Sequence, residues 1–155
     1  MTLDRRTLIL FATLGSAALL SGAFAFQYIG GMAPCQLCLW QRWPHAAAIL
    51  IGLVALASGW RGLAWLGMIA LLVTAAIGIF HVGVEQKWWE GLASCTAGSI
   101  EGISTADLLD PTKDVASVVR CDAIAWQLFG ISMAGWNAIV SLVLAGIWFK
   151  AARAA

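Results

Sequence analysis

Hydrophobic residues along this chain fall into four long runs, at 8–27, 39–58, 63–84 and 129–149. Each run has few or no charged residues and is about 20 residues long, enough for an α-helix to cross a hydrocarbon core of about 30 Å. The pattern predicts an all-α membrane protein, a bundle of four transmembrane helices. We expect 1–155 to form a single membrane domain, with loops at 28–38 and 85–128 on one side.

The first hydrophobic run could also be a cleaved signal peptide, because a basic segment precedes it and Ala23 and Ala25 form a small-residue cleavage pattern. The apolar residues continue past this point to Ile29, as a membrane span would. Ala18 and Gly22 add a small face that suits close helix packing. We therefore expect this run to be the first transmembrane helix.

The composition also favours a membrane location. Of the 155 residues, 61% are hydrophobic and 11% are charged, which is too apolar for an ordinary soluble domain. The net charge of +1 gives no reason to expect nucleic acid as a partner, and the sequence contains no phosphate-binding loop. Membrane lipid is the expected environment.

The basic residues predict the orientation of the four spans. Most of them share one side of the predicted bundle, whereas most acidic residues lie on the other side; the first group is Arg5, Arg6, Arg61, Lys150 and Arg153. Lysine and arginine in short loops mark the cytoplasmic side of a membrane. We therefore expect both termini in the cytoplasm and all of the cysteines outside it.

The second outer loop, 85–128, is long enough to contain secondary structure. Ser104 and the residues up to Asp107 resemble a helix start, and apolar residues recur at helical spacing after Pro111. Short helices lying on the bilayer surface are expected here. They would fold the loop back so that Cys95 and Cys121 approach within the distance of about 5.5 Å between Cα atoms that a disulfide requires.

Four cysteines outside the cytoplasm predict two disulfides. Cys35 and Cys38 have CxxC spacing, and the very small loop that they close suits a reducible bond. Cys95 and Cys121 could form an ordinary structural disulfide. A zinc site of all four cysteines is the competing interpretation, although such sites usually combine two close-spaced pairs.

Arg42 follows Cys38 by one helical turn, so Cys35, Cys38 and Arg42 would share one stripe of the second helix. A helix N-terminus and a fixed positive charge both favour a thiolate, which makes Cys38 the candidate for an activated sulfur. Alternatively, Arg42 only snorkels to the lipid headgroups. His81 could be an interfacial residue or a ligand contact, and His45 is expected to be structural.

The sequence resembles the DsbB family of bacterial disulfide bond formation proteins. The resemblance rests on CQLCLWQR, on FHVGVE followed by WWEGLASC, and on a cysteine followed by WQLFGISMAGWN, and it covers nearly the whole chain. It implies a quinone-dependent thiol oxidoreductase in the inner membrane, with the active site on the periplasmic face. The implied partners are a DsbA-like periplasmic protein with a thioredoxin fold and a membrane quinone, either ubiquinone or menaquinone.

The same resemblance implies a relay of two cysteine pairs. Cys95 would form the mixed disulfide with the partner protein, and Cys121 would resolve it toward Cys35. Cys38 would then pass the electrons to the quinone. On this reading all four cysteines are catalytic, and none of them binds a metal.

Two further residues are implied to bind the quinone. Arg42 would hold the quinone and stabilise charge on Cys38, and His81 falls near the position of the family's quinone-side histidine. Gln41 stands where some members have an acidic residue, which departs from the family pattern. Two alternatives are a non-catalytic membrane protein with structural disulfides or a metal site, and an enzyme of the vitamin K epoxide reductase type, whose CxxC lies in a late span.

Overall fold

The computed structural model describes residues 4–92 and 119–154. Within them the chain forms four long α-helices and one short antiparallel hairpin. The helices are α1 (Arg5–Tyr28), α2 (Gln36–Ser58), α3 (Leu63–Glu85) and α4 (Met133–Arg153), and the strands are β1 (Gln127–Leu128) and β2 (Ile131–Ser132). The predicted helical fold is confirmed for this part of the chain. The surface helices expected near Ser104 and after Pro111 lie outside the described residues.

The fourth helix begins at Met133 and not at the start of the hydrophobic run at 129–149. Phe129 and Gly130 have positive φ angles of 53° and 76°, and they turn the chain between β1 and β2. Ser132 then caps α4 by accepting a hydrogen bond from the amide of Gly135 at 3.2 Å. The prediction was wrong at this end because hydropathy does not distinguish an apolar hairpin from the first turn of a helix.

The helices pack in chain order, and α1 also meets α4, which closes the bundle. Small residues such as Ala12, Ala48 and Ala64 make up much of the buried core and allow the helix backbones to approach closely. Trp148 on α4 is the largest fully buried side chain, and it packs against Gly67 on α3. The core therefore combines close backbone contacts with one large ring that fills the space beside a glycine.

Three of the helices, α1, α3 and α4, are long and apolar enough to cross a membrane. The outward surface of the bundle carries many exposed large hydrophobic side chains, which suits lipid; examples are Leu10, Leu50, Ile69 and Leu142. Helix α2 has the required length, but Gln41, Arg42 and His45 in its first half lower its hydropathy. The chain is a multi-pass membrane protein, and the crossing of α2 stays a prediction.

Arg5 and Arg6 tie the start of α1 to the end of α2. Helix α2 ends at Ser58, and its C-cap residue, Gly59, has a φ of 68° in the left-handed region. Arg5 donates to the carbonyl oxygens of Gly59 and Trp60 at 3.1 and 3.0 Å, and Arg6 donates to that of Leu56 at 3.3 Å. The two basic side chains thus satisfy carbonyl groups at a helix C-terminus. That this end of the bundle faces the cytoplasm stays a prediction.

Gly67→Ala is expected to destabilise the bundle. A Cβ atom at position 67 would lie 2.6 Å from two ring atoms of Trp148, and this ring is completely buried. Overpacking of a core typically costs about 1–3 kcal/mol. Gly146→Ala is the matched control, because no described atom lies within 4 Å of a Cβ atom there. The free energy of unfolding in detergent micelles should fall for Gly67→Ala alone; equal values for the two variants would contradict this packing.

Candidate functional site

The CxxC segment begins helix α2, and a cysteine side chain caps this helix. Cys35 is the N-cap residue, with an extended backbone, and its sulfur accepts a hydrogen bond from the amide of Cys38 at 3.2 Å. The two sulfurs lie 2.8 Å apart, and both cysteines are free thiols. Both sulfurs therefore lie at the positive end of the α2 dipole, which stabilises negative charge.

The two thiols differ in how they hold a proton. The Cys35 thiol donates a hydrogen bond to the Cys38 sulfur, and this bond, together with burial, raises the pKa of Cys35. Negative charge is therefore better placed on Cys38, which receives the hydrogen bond. The charge of Arg42 favours a thiolate at Cys38, whereas the charge of Glu85 opposes it.

This difference predicts which thiol of the reduced protein reacts first. At neutral pH, iodoacetamide should modify Cys38 before Cys35, because the thiolate is the reactive species and Cys35 keeps its proton. Peptide mass spectrometry after brief labelling should show the Cys38 adduct in about tenfold excess or more. The preference should disappear in denatured protein, where both thiols are exposed. Preferential labelling of Cys35 in the native protein would contradict the assignment.

His81, near the end of α3, lies between Cys35 and Cys121. It is 3% exposed, and its Nε2 atom lies 3.6 Å from the Cys35 sulfur and 3.2 Å from the backbone carbonyl oxygen of Cys121. Cys121 is fully buried, is disulfide-bonded and shares a buried cluster with Cys35. Cys35, Cys38 and Cys121 therefore meet at His81, and the fourth predicted cysteine, Cys95, lies outside the described residues.

Arg42 is bound to helix α1. Its guanidinium group donates to the side-chain oxygen of Gln27 at 2.5 Å and to the carbonyl oxygen of Ala23 at 3.4 Å, and it lies 5.0 Å from the centre of the Phe24 ring. Its Nε atom is buried and has no hydrogen-bond partner among the described residues. These contacts hold the Arg42 side chain in place. A side chain that only snorkels to the lipid headgroups would not need them.

A cavity of about 320 Å³ lies beside the CxxC segment. Helix α2 lines it with Cys38, Gln41, Arg42 and His45, and helix α3 contributes His81. The rest of the lining is largely apolar and includes Leu19, Phe26, Trp126, Leu128, Met133 and Trp136. A mostly apolar pocket with a few convergent polar groups is the usual form of a small-molecule site.

A chain of polar side chains crosses the bundle beside this cavity, and the sequence analysis did not anticipate it. Gln41 donates to the carbonyl oxygen of Leu37 at 3.2 Å and contacts Nδ1 of His81 at 3.0 Å. Its side-chain oxygen accepts from Asn137 on α4 at 2.7 Å, and Asn137 contacts Nε2 of His45 at 2.9 Å. A polar residue such as Asn137 inside a hydrophobic run is the signal that could have revealed it.

Comparison with known proteins identifies the family. The family model described as "Disulfide bond formation protein DsbB" matches residues 5–151, which is nearly the whole chain. The chain belongs to the DsbB family. The DsbB match includes the CxxC segment as well as most of the helix that carries Asn137.

Relatives named "Disulfide bond formation protein B" match the chain over most of its length. The one from Methylococcus capsulatus is 34% identical, and the match covers 99% of this chain and 100% of the relative. The one from Hahella chejuensis is 27% identical, with 94% and 92% covered. The one from Verminephrobacter eiseniae is 30% identical, with 97% and 89% covered. No solved structure matches the chain.

Membership of the DsbB family confirms the resemblance drawn from the three sequence segments. It makes the chain a membrane-bound oxidoreductase of disulfide bond formation. The roles of the individual cysteines, of Arg42 and of His81 in this DsbB protein stay predictions.

The site also contains three atoms that could bind a metal. The two sulfurs of Cys35 and Cys38 and a ring nitrogen of His81 all lie within 4.8 Å of one another. A zinc site of all four cysteines needs four thiolates, and Cys121 has none to offer because it is disulfide-bonded. In a DsbB protein, thiol chemistry explains the same cluster without a metal.

Proposed function

We propose that this DsbB protein takes electrons from a DsbA-like periplasmic protein and passes them through two cysteine pairs to a membrane quinone. The observation that supports this best is the meeting of Cys35, Cys38 and Cys121 around His81, beside a cavity that Arg42 also lines. The site faces the periplasm in this proposal, in agreement with the distribution of basic residues.

The first step is exchange with the partner protein. A thiolate of the partner attacks the disulfide between Cys95 and Cys121, which forms a mixed disulfide with Cys95 and releases the Cys121 sulfur. The partner's second thiol then displaces Cys95, and the partner leaves with a disulfide. One disulfide is broken and one is formed, so two electrons and two protons pass to this DsbB protein.

The second step moves the electrons between the two pairs. The sulfur of Cys121 attacks Cys35 of an oxidised Cys35–Cys38 pair, and the Cys121–Cys35 bond is then resolved by Cys95. Two contacts support this step, because Cys35 and Cys121 share a buried cluster and both lie against His81. The pair at 95 and 121 ends oxidised and the CxxC pair ends reduced.

The third step reoxidises the CxxC pair to its disulfide. Cys38 lines the cavity, so two electrons leave through its sulfur, two protons leave with them, and the bond to Cys35 re-forms. A quinone, when bound in the cavity, supplies the acceptor for these electrons and protons. His81 and the helix N-terminus hold the thiol pair in place during this step.

The cavity has the chemistry that a quinone head group requires. Its lining is mostly apolar, as a flat ring with a lipid tail needs. Arg42 and His45 line it, and each has a buried nitrogen without a hydrogen-bond partner among the described residues. A guanidinium group is a strong hydrogen-bond donor to oxygen, so Arg42 would hold one oxygen of the ring.

Reduction potentials explain why an acceptor such as a quinone is required. DsbA has a potential near −120 mV, whereas structural disulfides lie below about −300 mV, so the gap of about 180 mV opposes transfer by about 8 kcal/mol for two electrons. An ordinary disulfide at Cys95 and Cys121 could not oxidise such a partner. A stronger oxidant in the membrane removes this barrier by accepting the electrons.

Quinone reduction by a reduced partner tests the proposal. The purified protein in detergent, kept free of oxygen, is mixed with a reduced DsbA-type dithiol protein and a water-soluble short-chain quinone. We expect one quinone to be consumed for each partner disulfide formed, and only when the protein is present. If the quinone absorbance does not change with the unsubstituted protein, the proposed function is wrong.

Cys121→Ser is the matched control for the order of the relay. This variant cannot form the disulfide between Cys95 and Cys121, which reacts with the partner in the proposed relay, but it keeps the CxxC pair. It should no longer oxidise the protein partner, but a small dithiol such as dithiothreitol should still reduce the quinone through Cys35 and Cys38. Continued oxidation of the protein partner would contradict the proposed order.

A second candidate function, a structural metal site, is favoured only by the cluster of Cys35, Cys38 and His81. Elemental analysis of the purified, reduced protein after dialysis distinguishes the two functions. One zinc per chain, lost together with the folded state on chelation, would favour the metal site. Zinc well below one per chain, together with quinone reduction, would favour the relay.

A further inference from the structure

The hydrogen bonds among the polar side chains beside the cavity determine how each of these side chains is oriented. The carbonyl oxygen of Leu37 can only accept, so the Gln41 atom that contacts it is the NH₂ group. The same NH₂ group donates to Nδ1 of His81, which leaves the proton of this ring on Nε2, next to the carbonyl oxygen of Cys121. Gln41 therefore presents its oxygen to Asn137.

The orientation of Asn137 in turn determines which ring nitrogen of His45 carries the proton. Its NH₂ group donates to Gln41 at 2.7 Å and to the hydroxyl oxygen of Thr74 at 3.1 Å, and Thr74 gives its own proton to the backbone carbonyl of Gln41. The Asn137 oxygen therefore faces Nε2 of His45 at 2.9 Å, so this nitrogen carries the proton. The hydroxyl oxygen of Ser141, at 3.4 Å, can accept from the same nitrogen.

The other ring nitrogen of His45, Nδ1, then has no proton and can only accept a hydrogen bond. A doubly protonated ring would place a charge and an unpaired donor in the bundle interior, which is costly, so the ring is neutral here. His45 is 3% exposed, and its Nδ1 has no hydrogen-bond partner among the described residues. The residue lines the cavity with Cys38 and Arg42, which lie on the same face of α2. The Nδ1 atom itself is enclosed by protein, so a ligand in the cavity reaches it only when the ring or a neighbouring side chain shifts. An unpaired buried acceptor is costly, and a donor from such a ligand would relieve that cost.

We propose that His45 is a specificity-determining contact that recognises the reduced form of the quinone ring. The inference rests on the proposed function. Nδ1 of His45 can accept a hydrogen bond from a hydroxyl group of the reduced ring, but it faces only lone pairs when a quinone carbonyl stands there. Arg42 donates and so can contact either form. The site therefore holds the reduced ring more tightly, which makes the bound quinone a stronger oxidant of Cys38.

His45→Gln tests this contact. A glutamine NH₂ group can still donate to Asn137, but the side chain offers no acceptor at the position of Nδ1. Binding of a short-chain hydroquinone and of the matching quinone is measured by calorimetry without oxygen, in a Cys38→Ser background that exchanges no electrons with the ligand. The dissociation constant of the hydroquinone should rise about five- to tenfold, and that of the quinone should stay within about twofold.

Ser141→Ala is the matched control, because it removes another contact of the same ring and leaves Nδ1 unchanged. It should alter neither dissociation constant. If His45→Gln weakens both ligand forms equally, or neither, the inference is overturned while quinone binding stands. If the protein with His45 intact binds neither form, the proposed function is overturned with it.

Nitrogen NMR gives an answer that does not depend on the folding of a variant. The chain has 2 histidines, so the ¹⁵N-histidine spectrum contains only two rings. Both rings should show a proton on Nε2, and the Nδ1 signal of His45 should move on addition of hydroquinone but not of quinone. A proton on Nδ1 of His45, or an Nδ1 signal that does not move on addition of hydroquinone, would overturn the inference.

Discussion

Cys38→Ser should abolish quinone reduction while the protein stays folded. A serine hydroxyl is too weak an acid to supply an anion at neutral pH, and it cannot form a disulfide with Cys35. In the proposed relay the electrons leave through the Cys38 sulfur, and Cys38 lines the cavity, so turnover should fall by at least about 10³-fold. The loss is measured as quinone absorbance under anaerobic conditions, with a reduced DsbA-type protein as the electron donor.

The same variant should keep its fold, since the cap of α2 does not use the side chain at position 38. The sulfur of Cys35 accepts from the backbone amide of residue 38, which a serine also provides. The unfolding temperature in detergent should therefore remain close to that of the unsubstituted protein. Full turnover by a folded Cys38→Ser protein would rule out the relay, whatever the other variants do.

Arg42→Leu should raise the KM for quinone by about ten- to a hundredfold, because hydrogen bonds from a charged group contribute about 1.5–3 kcal/mol. The guanidinium group already bonds to Gln27 and to the carbonyl oxygen of Ala23, so it is positioned before a ligand arrives. Arg42→Lys should recover part of the loss, since a lysine keeps the charge but not the fork of donors. Steady-state kinetics over a range of quinone concentrations measures both effects.

Lys150→Leu is the matched control for this loss of a basic residue. Lys150 lies in the last turn of α4 and is exposed, outside the set of residues that line the cavity. Its removal should leave the KM for quinone unchanged. If Arg42→Leu also leaves this KM unchanged, Arg42 does not bind the quinone, and its contacts to α1 serve packing alone.

The helices could be predicted from the sequence because lipid imposes a simple rule on them. A run of about 20 apolar residues is long enough to cross the hydrocarbon core. Inside the core its backbone N–H and C=O groups can form all of their hydrogen bonds within the segment only as a helix. The same rule placed the second run at 39–58, whereas α2 begins at Gln36, because the polar residues around the CxxC segment interrupt the apolar run. The hairpin before α4 escaped prediction because it is as apolar as the helix that follows, and the angles of Phe129 and Gly130 alone mark the turn.

The candidate site could be predicted only where its residues are close in the sequence. Cys38 and Arg42 lie one turn apart, so helical geometry alone places them on one face. The bond between Gln41 and Asn137 spans α2 and α4, and its geometry depends on how these helices meet. His45 was expected to be structural because nothing in the sequence shows that one of its nitrogens lacks a partner.

The polar residues of α2 also explain why this helix, unlike α1, α3 and α4, lacks a continuous stretch apolar enough to mark it as a membrane span. Gln41, Arg42 and His45 all line the cavity, and two of them belong to the polar chain that reaches Asn137. A span can carry such groups when they face the bundle interior and bond to one another. The low hydropathy of α2 therefore has the same origin as its proposed chemistry.

The contacts of Arg5 and Arg6 with the end of α2 bear on how the protein is made. Among the described residues, the carbonyl oxygens that these two arginines bind belong to Leu56, Gly59 and Trp60. During synthesis, α1 and α2 can thus join as a helical hairpin once Trp60 has left the ribosome, before α3 has fully emerged from it. The nascent chain would then hold the CxxC segment on a preassembled pair of helices, to which the later helices are added.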